Sequence, residues 1–347
     1  TGGFIGHRGL QAPDPPTAVT PTAGDQQLSI AFTAPSDVGD DAITGFVAQV
    51  STNGTDYSVG SNTGSSSPIV VSSLSNGTAY TAKVWAINDY GTSSPSDASS
   101  SVAPVNPPRG LRAGGGTNKY NNAQVNNIDY ITISSTGNAT DFGDLSVART
   151  MLSGCSSTTR GVFHGGIASG VRKDTIDYVT IASTGNATDF GDMGYARERT
   201  GSCSNNTRGI LFGGDCDPSL SERTIEYITI ASTGNATDFG DTTVDKEDGP
   251  AGAASSTRGV FFGGTFVTNN VIEYVTIGST GNATDFGDMN LNCSTGGAFS
   301  SATRAVIGRI HTAAGSQNPI NTIEYITISS TGNATDFGDQ IDDAAGA

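Results

Sequence analysis

The sequence predicts an all-β chain, with a β-sandwich over residues 13–104 followed by a β-propeller over residues 109–347. Three observations carry this. Glycine accounts for 47 of 347 residues and charged residues for only 14%, a mix that suits short strands and tight turns better than long helices. Runs of strictly alternating apolar residues recur in the first third of the chain. Three short signatures then recur five times in a fixed order, the third of them starting at intervals of 48, 49, 47 and 51 residues.

Residues 1–12, TGGFIGHRGLQA, hold too few apolar side chains for a core and read as an N-terminal arm. Pro13, Pro15 and Pro16 mark its boundary. Beyond it, Leu28, Ile30 and Phe32 alternate, as do Phe46, Ala48 and Val50, and Tyr80, Ala82, Val84 and Ala86. Turn clusters at 51–56 and 75–78 separate these strands. The stretches PDPPTAV, LSIAFTAP, ITGFVAQVS and LSNGTAYTAKVWAINDYGTSSPS resemble a fibronectin type III domain. The resemblance implies a buried Leu74, a corner tyrosine at Tyr80 and an Asn88–Gly91 turn before the last strand. Phe32 stands where that family commonly has a core tryptophan. Such a module implies a spacer or binding role without catalysis, and the chain contains no RGD. Residues 105–108 form a proline-bearing linker.

In each repeat an Arg-Gly segment ends in Gly-Gly, starting at Arg109, Arg160, Arg208 and Arg258, with a degenerate copy at Arg304. Next comes Ile-Asp/Glu-Tyr-Ile/Val-Thr-Ile, starting at Ile128, Ile176, Ile225, Ile272 and Ile323. The decapeptide STGNATDFGD follows, starting at Ser135, Ser183, Ser232, Ser279 and Ser330. The second signature alternates as a half-buried strand does. In the decapeptide, Gly and Asn supply a turn that tolerates positive φ, and a short strand returns with one aromatic: Phe142, Phe190, Phe239, Phe286 or Phe337. A further short run precedes Arg160, Arg208, Arg258 and Arg304, so each unit reads as four antiparallel strands, one propeller blade.

The Gly-Gly, the strand tyrosine and the final aromatic resemble the kelch-repeat propeller, with Phe in place of its usual Trp. The near-identical decapeptide is similar to repeats in structural proteins of marine tailed bacteriophages, especially those infecting cyanobacteria. The first unit lacks the run that precedes its arginine. Ala345–Ala347 match Ala251–Ala253, so the C-terminus is expected to supply that missing strand and close a five-bladed ring, removing its open edges.

The net charge of −16 argues against a nucleic-acid partner, and no apolar run reaches 18 residues. Cys155, Cys203, Cys216 and Cys293 form no CxxC pair, and Cys155 and Cys203 occupy equivalent places in successive repeats; buried free thiols are expected. The repeated arginines and the carboxylates Asp129, Asp177, Glu226, Glu273 and Glu324 read either as a ligand-binding ring or as Arg–carboxylate pairs and turn hydrogen bonds that lock each blade. Asp141 and Asp144 fall on opposite strand faces, a poor arrangement for one Ca²⁺. Each Asn-Ala-Thr matches a glycosylation sequon but lies in a turn that uses Asn anyway. His7, His164 and His311 do not fall at metal spacing, and no Tyr, His and Cys set for a kelch-type copper oxidase can be assembled, so no catalytic residue, cofactor or metal is assigned.

Chemistry is instead expected where the repeat breaks, in the loops at 117–127, 167–175, 215–224, 265–270 and 311–319. The candidate binding residues there are Lys119, Tyr120, Arg172, Lys173, Asp217, Phe266, His311 and Gln317. Neutral drift in exposed loops explains the same variation. With the phage resemblance, this implies a non-enzymatic virion protein: a tail fibre, or a capsid or tail appendage that attaches to a host. Its partners would be other virion proteins, a host surface glycan or protein, or further copies of itself. A bacterial extracellular adhesion or surface protein is the alternative.

Overall fold

The computed structural model describes residues 10–116, 124–216, 222–264, 270–290, 296–309 and 320–344. Every regular element among them is a strand. The chain divides into two compact units, Thr1–Pro108 with Thr132–Thr136, and Arg109–Ile131 with Gly137–Ala347.

The first unit is a sandwich of β1 (Thr17–Gly24), β2 (Gln27–Thr33), β3 (Gly45–Ser51), β4 (Gly60–Gly64), β5 (Ile69–Val71), β6 (Thr81–Asn88) and β7 (Gly91–Thr92). One sheet has the order β1-β2-β5, the other β4-β3-β6-β7. The alternating residues point inward: Leu28, Ile30, Phe32, Phe46, Ala48, Val50, Tyr80, Ala82, Val84 and Ala86 share one core with Ile69, Val71 and Leu74. Phe32 packs on Phe46 with ring centroids 4.7 Å apart and fills the central space. The Tyr80 hydroxyl accepts a hydrogen bond from Ser75 N at 3.1 Å, and Asn88 Oδ1 accepts from Tyr90 N and Gly91 N. After β7 the chain is held by a device of period three. Ser93, Ser96 and Ser99 each accept on their hydroxyl from β6, at Ala86 N, Val84 N and Ala82 N. Their own backbone N–H groups donate to the carbonyls of those same three residues.

The second unit begins with β8 (Arg109–Ala113), β9 (Asn127–Thr132) and β10 (Thr140–Asp144), a three-stranded sheet. The second repeat forms β11 (Ser153–Ser156), β12 (Arg160–His164), β15 (Thr175–Thr180) and β16 (Thr188–Asp192). Between its middle strands lies a hairpin of β13 (Ile167–Ala168) and β14 (Val171–Arg172). The third forms β17 (Gly201–Ser204), β18 (Arg208–Phe212), β19 (Thr224–Thr229) and β20 (Thr237–Asp241). The fourth forms β21 (Ala251–Ala254), β22 (Arg258–Phe262), β23 (Val271–Thr276) and β24 (Thr284–Asp288). The fifth forms β25 (Gly296–Ser300), β26 (Arg304–Arg309), β27 (Ile320–Thr327) and β28 (Thr335–Ala344). Each of these four is an antiparallel sheet in chain order. Neighbouring first strands lie side by side, β11 against β17, β17 against β21 and β21 against β25.

The decapeptide joins one sheet to the next. Gly185 N donates to Phe142 O and Ala187 N to Asp144 O, both at 2.7 Å, and the same pair of bonds recurs at the three later junctions. The asparagine works differently from the sequence expectation. It takes no positive φ in any repeat; instead Asn186, Asn235, Asn282 and Asn333 accept on Oδ1 from the Asp N–H of the preceding sheet, at 3.0–3.1 Å. The glycine of Asp-Phe-Gly-Asp is dictated by the close approach. At Gly143, φ is +145° and a Cβ would stand 2.4 Å from Gly185 O.

The expected ring closure falls on residues outside the described ones. The first sheet has three strands among the described residues. Ala344 pairs with Ile320 in its own sheet, and Ala345–Ala347 lie outside the described residues. Among the described residues Phe337 is 53% exposed and Ile131 47%.

Candidate functional site

The two sets of repeated charges do not pair with each other. Each repeat arginine lies over the tyrosine of its own sheet, at 4.6 Å for Arg109 on Tyr130 and 4.2–4.4 Å in the other four repeats. That tyrosine meets the repeat phenylalanine edge-on at 5.8–6.0 Å. The arginines of the first four repeats then donate to the next sheet, at the carbonyls of Ile181, Ile230, Ile277 and Ile328.

Three of the carboxylates are held by cations outside the repeated arginines. Arg149 Nη1 lies 2.8 Å from Asp177, Arg197 pairs with Glu226, and Lys246 Nζ lies 3.0 Å from Glu273. The cation and most of each carboxylate are out of solvent, so each pair is a buried lock between one repeat and the next. Sequence reasoning missed these cations, yet each stands five residues after the last Asp of a decapeptide. Asp129 has no preceding repeat and pairs with Arg112 of its own sheet at 3.6 Å. These charges hold the array together, and the ligand-ring reading has no geometric support.

Symmetry breaks at one end of the sheet stack. A cavity of about 660 Å³ is lined by the first strands of three sheets and their approaches, including Met151, Ser153, Arg199, Thr200, Ser202 and Asp248, with Ala298 of a fourth. Arg199 pairs with Asp248 at 3.1 Å, where the equivalent of Arg199 is Met151 in the previous repeat and Gly249 in the next. Nearby, Arg172 bridges Glu198 at 3.4 Å and Asp215 at 2.7 Å. Hydrogen bonding to Asp215 holds Arg172 firmly charged. Burial pushes the Asp248 carboxyl up, against the opposing pull of Arg199. His164 replaces the Phe found at 212 and 262 and is fully buried, with Nδ1 3.3 Å from Thr200 Oγ1. Burial, with repulsion from Arg197 and Arg149, lowers it to about 3, so it is neutral near pH 7.

Of the eight loop residues singled out in the sequence, Arg172 and Lys173 are described; Arg172 joins this charged rim. Lys119, Tyr120, Asp217, Phe266, His311 and Gln317 lie outside the described residues. Cys155, Cys203 and Cys216 are free thiols, as expected, while Cys293 lies outside the described residues. Burial pushes Cys155 up to about 12 and also raises Cys203, so neither is a nucleophile. Among the described residues, no group of three or more His, Cys, Asp or Glu side chains could hold a metal ion. Among the same residues, no helix is long and apolar enough to cross a membrane.

The sandwich geometry, with its Tyr80 corner and Asn88 turn, agrees with a family match: the fibronectin type III model matches residues 13–102. This segment is a fibronectin type III domain. A crystal structure of titin domains is similar at 23% identity, with a TM-score of 0.26 over 28% of this chain and 33% of that one. The chain thus spans about a third of the titin fragment's length. No curated protein matches the chain in sequence.

Proposed function

We propose that this chain is a non-enzymatic structural protein of a virion, a tail fibre or a capsid or tail appendage. In this reading the fibronectin type III domain is a spacer, and the five sheets are kelch-like blades that present a host-contacting surface. The observation that carries it is the division of labour in the repeats. The decapeptide, the Arg–Tyr–Phe stack and the buried ion pairs are all used up in joining sheets. The loops between the second and third strands vary in length and chemistry, and the cavity carries the unrepeated Arg199–Asp248 pair. A constant scaffold carrying variable loops suits recognition. Hydroxyls of Ser153, Thr200 and Ser202 and the Arg199–Asp248 pair suit a polar ligand such as a surface glycan.

The likeness of the decapeptide to repeats of marine phage structural proteins supports the virion assignment. Mass spectrometry of purified particles tests it, with adsorption assays in the presence of excess purified chain. The chain is expected in the particle and is expected to compete for host cells. Its absence from particles, with display on a bacterial surface instead, would give the adhesion reading.

A further inference from the structure

Two residues at the cavity hold a backbone conformation that disfavours a side chain. Among the described residues of the repeat array, three non-glycine residues take a left-handed φ: Met151 at +56°, Ser169 at +51° and Arg199 at +55°. Ser169, with Gly170 at +77°, turns the β13–β14 hairpin, where the chain must reverse. Met151 and Arg199 turn no hairpin. They stand just before β11 and β17, and the equivalent residue before β21 is Gly249, at +60°. The backbone at this place therefore suits glycine, and any other side chain is held there against the clash of its Cβ. The three positions are hydrogen-bonded in sequence: Arg199 N donates to Met151 O at 2.9 Å, and Gly249 N to Arg199 O at 3.1 Å. All three line the cavity. Strain of this kind clusters at ligand sites, where a side chain is needed in one position.

The two strained residues bring complementary chemistry. Met151 is 41% exposed and offers an apolar, adaptable surface. Arg199 is 37% exposed and meets Asp248 through Nη1, one of several N–H groups that a guanidinium carries. Beside them the Ser202 hydroxyl donates to Gly154 O at 2.9 Å, so it accepts from the Ser153 hydroxyl 3.0 Å away, and both oxygens retain acceptor capacity. Charge at the rim is unbalanced. Arg172 and Arg199 face Glu198, Asp215 and Asp248, and Asp215 is near enough to Asp248 to oppose its ionisation. A ligand carboxylate, sulfate or phosphate meets that excess of negative charge. An ammonium group gains little, because each of those carboxylates already has an arginine. An uncharged polyol avoids both problems. The cavity's 660 Å³ falls within the roughly 300–1,000 Å³ of small-molecule sites.

We propose that this cavity binds an uncharged sugar ring of a glycan, with Met151 against a C–H face of the ring. Arg199 donates to one ring hydroxyl and Asp248 accepts from its neighbour. This rests on the recognition role proposed above and narrows it to a neutral sugar.

Saturation-transfer NMR on the full chain tests it. The neutral probes are the methyl glycosides of galactose, glucose, mannose, fucose and N-acetylglucosamine, and the acidic probe is methyl glucuronide. At least one neutral glycoside is expected to receive saturation, and the glucuronide none. Met151→Gly and Arg199→Gly place glycine where Gly249 shows that it fits, and each should weaken binding roughly tenfold or more. Urea unfolding of Met151→Gly is expected to match or exceed wild type, because strain is relieved and the side chain is largely exposed. A clear loss of stability in that variant would show that Met151 serves the fold and would overturn the strain argument. No saturation of any neutral glycoside overturns the proposal, as does equal binding of the glucuronide, or binding that both variants leave intact. Particle mass spectrometry and adsorption competition bear on the virion reading alone. A chain that is present in particles and competes for host cells, yet binds none of these glycosides, leaves that reading standing and removes this one.

Discussion

Phe239 and Phe337 occupy identical decapeptides, so replacing each with alanine isolates the effect of the junction. Phe239 is 2% exposed, clusters with Phe212, Ile225, Ile277 and Ala283, and meets Tyr227 edge-on at 6.0 Å. Burying such a ring contributes about 1.5–3 kcal/mol, and the enclosed cavity left behind raises the loss to about 3–5 kcal/mol. Phe337 keeps the same edge contact, with Tyr325 at 5.9 Å, but is 53% exposed. Roughly half of the transfer contribution remains and no closed cavity forms, giving a loss of about 1 kcal/mol. Urea unfolding followed by far-ultraviolet circular dichroism reads the difference. Trp85, the chain's single tryptophan, lies in the fibronectin type III domain and reports that unit separately. Its transition is expected to be unchanged in both variants. Equal losses for Phe239→Ala and Phe337→Ala would refute the account of junction burial.

The remaining predictions concern the locks, the serine ladder, the buried histidine and the thiols. Glu273→Gln leaves Lys246 buried without its counter-ion and should cost about 3–5 kcal/mol in urea unfolding, whereas Lys246→Met combined with Glu273→Leu should recover most of it. Ser96→Ala removes the acceptor for Val84 N and should lower the Trp85-monitored stability by about 1–3 kcal/mol. His164 titrates at about 3 folded against 6.5 free, so the unfolded chain binds the extra proton between those values. Stability is therefore full above pH 6.5 and falls by up to about 1.4 kcal/mol per pH unit toward pH 3; His164→Phe should flatten that acid limb. Cys155 and Cys203 should resist a thiol reagent in the native chain and react after denaturation, measured by mass shift.

Alternation alone marked the strands of the sandwich, because a half-buried strand must place every second side chain inward. The Tyr80 corner and the Asn88 turn were read from the fibronectin type III resemblance, and both act locally; the repeat phenylalanines were legible as strand residues, but the burial of Phe239 also depends on Ile277 and Ala283 of the next repeat. The serine ladder at 93, 96 and 99 escaped notice because its period of three belongs to neither a strand nor a helix. At the candidate site, Arg172 was named from a loop that breaks the repeat, but its partners Glu198 and Asp215 lie in other segments. Arg199 and Asp248 were passed over because no local motif contains them both.

The five-fold repeat, its four-strand unit and the fibronectin type III domain were thus determined by the sequence itself, since periodicity and turn chemistry are local properties. Tertiary structure decided which charges meet. Arg160 and its counterparts turned to tyrosine rings and carbonyls, while Arg149, Arg197 and Lys246 took the carboxylates, because packing one sheet on the next brings those groups within 3 Å or so of one another. It also decided that the asparagine serves the neighbouring sheet rather than its own turn. Last, it showed how unequally the shared decapeptide is buried, with Phe239 2% exposed and Phe337 53%. A repeat's sequence specifies the surface it offers; whether another repeat covers that surface depends on position in the array.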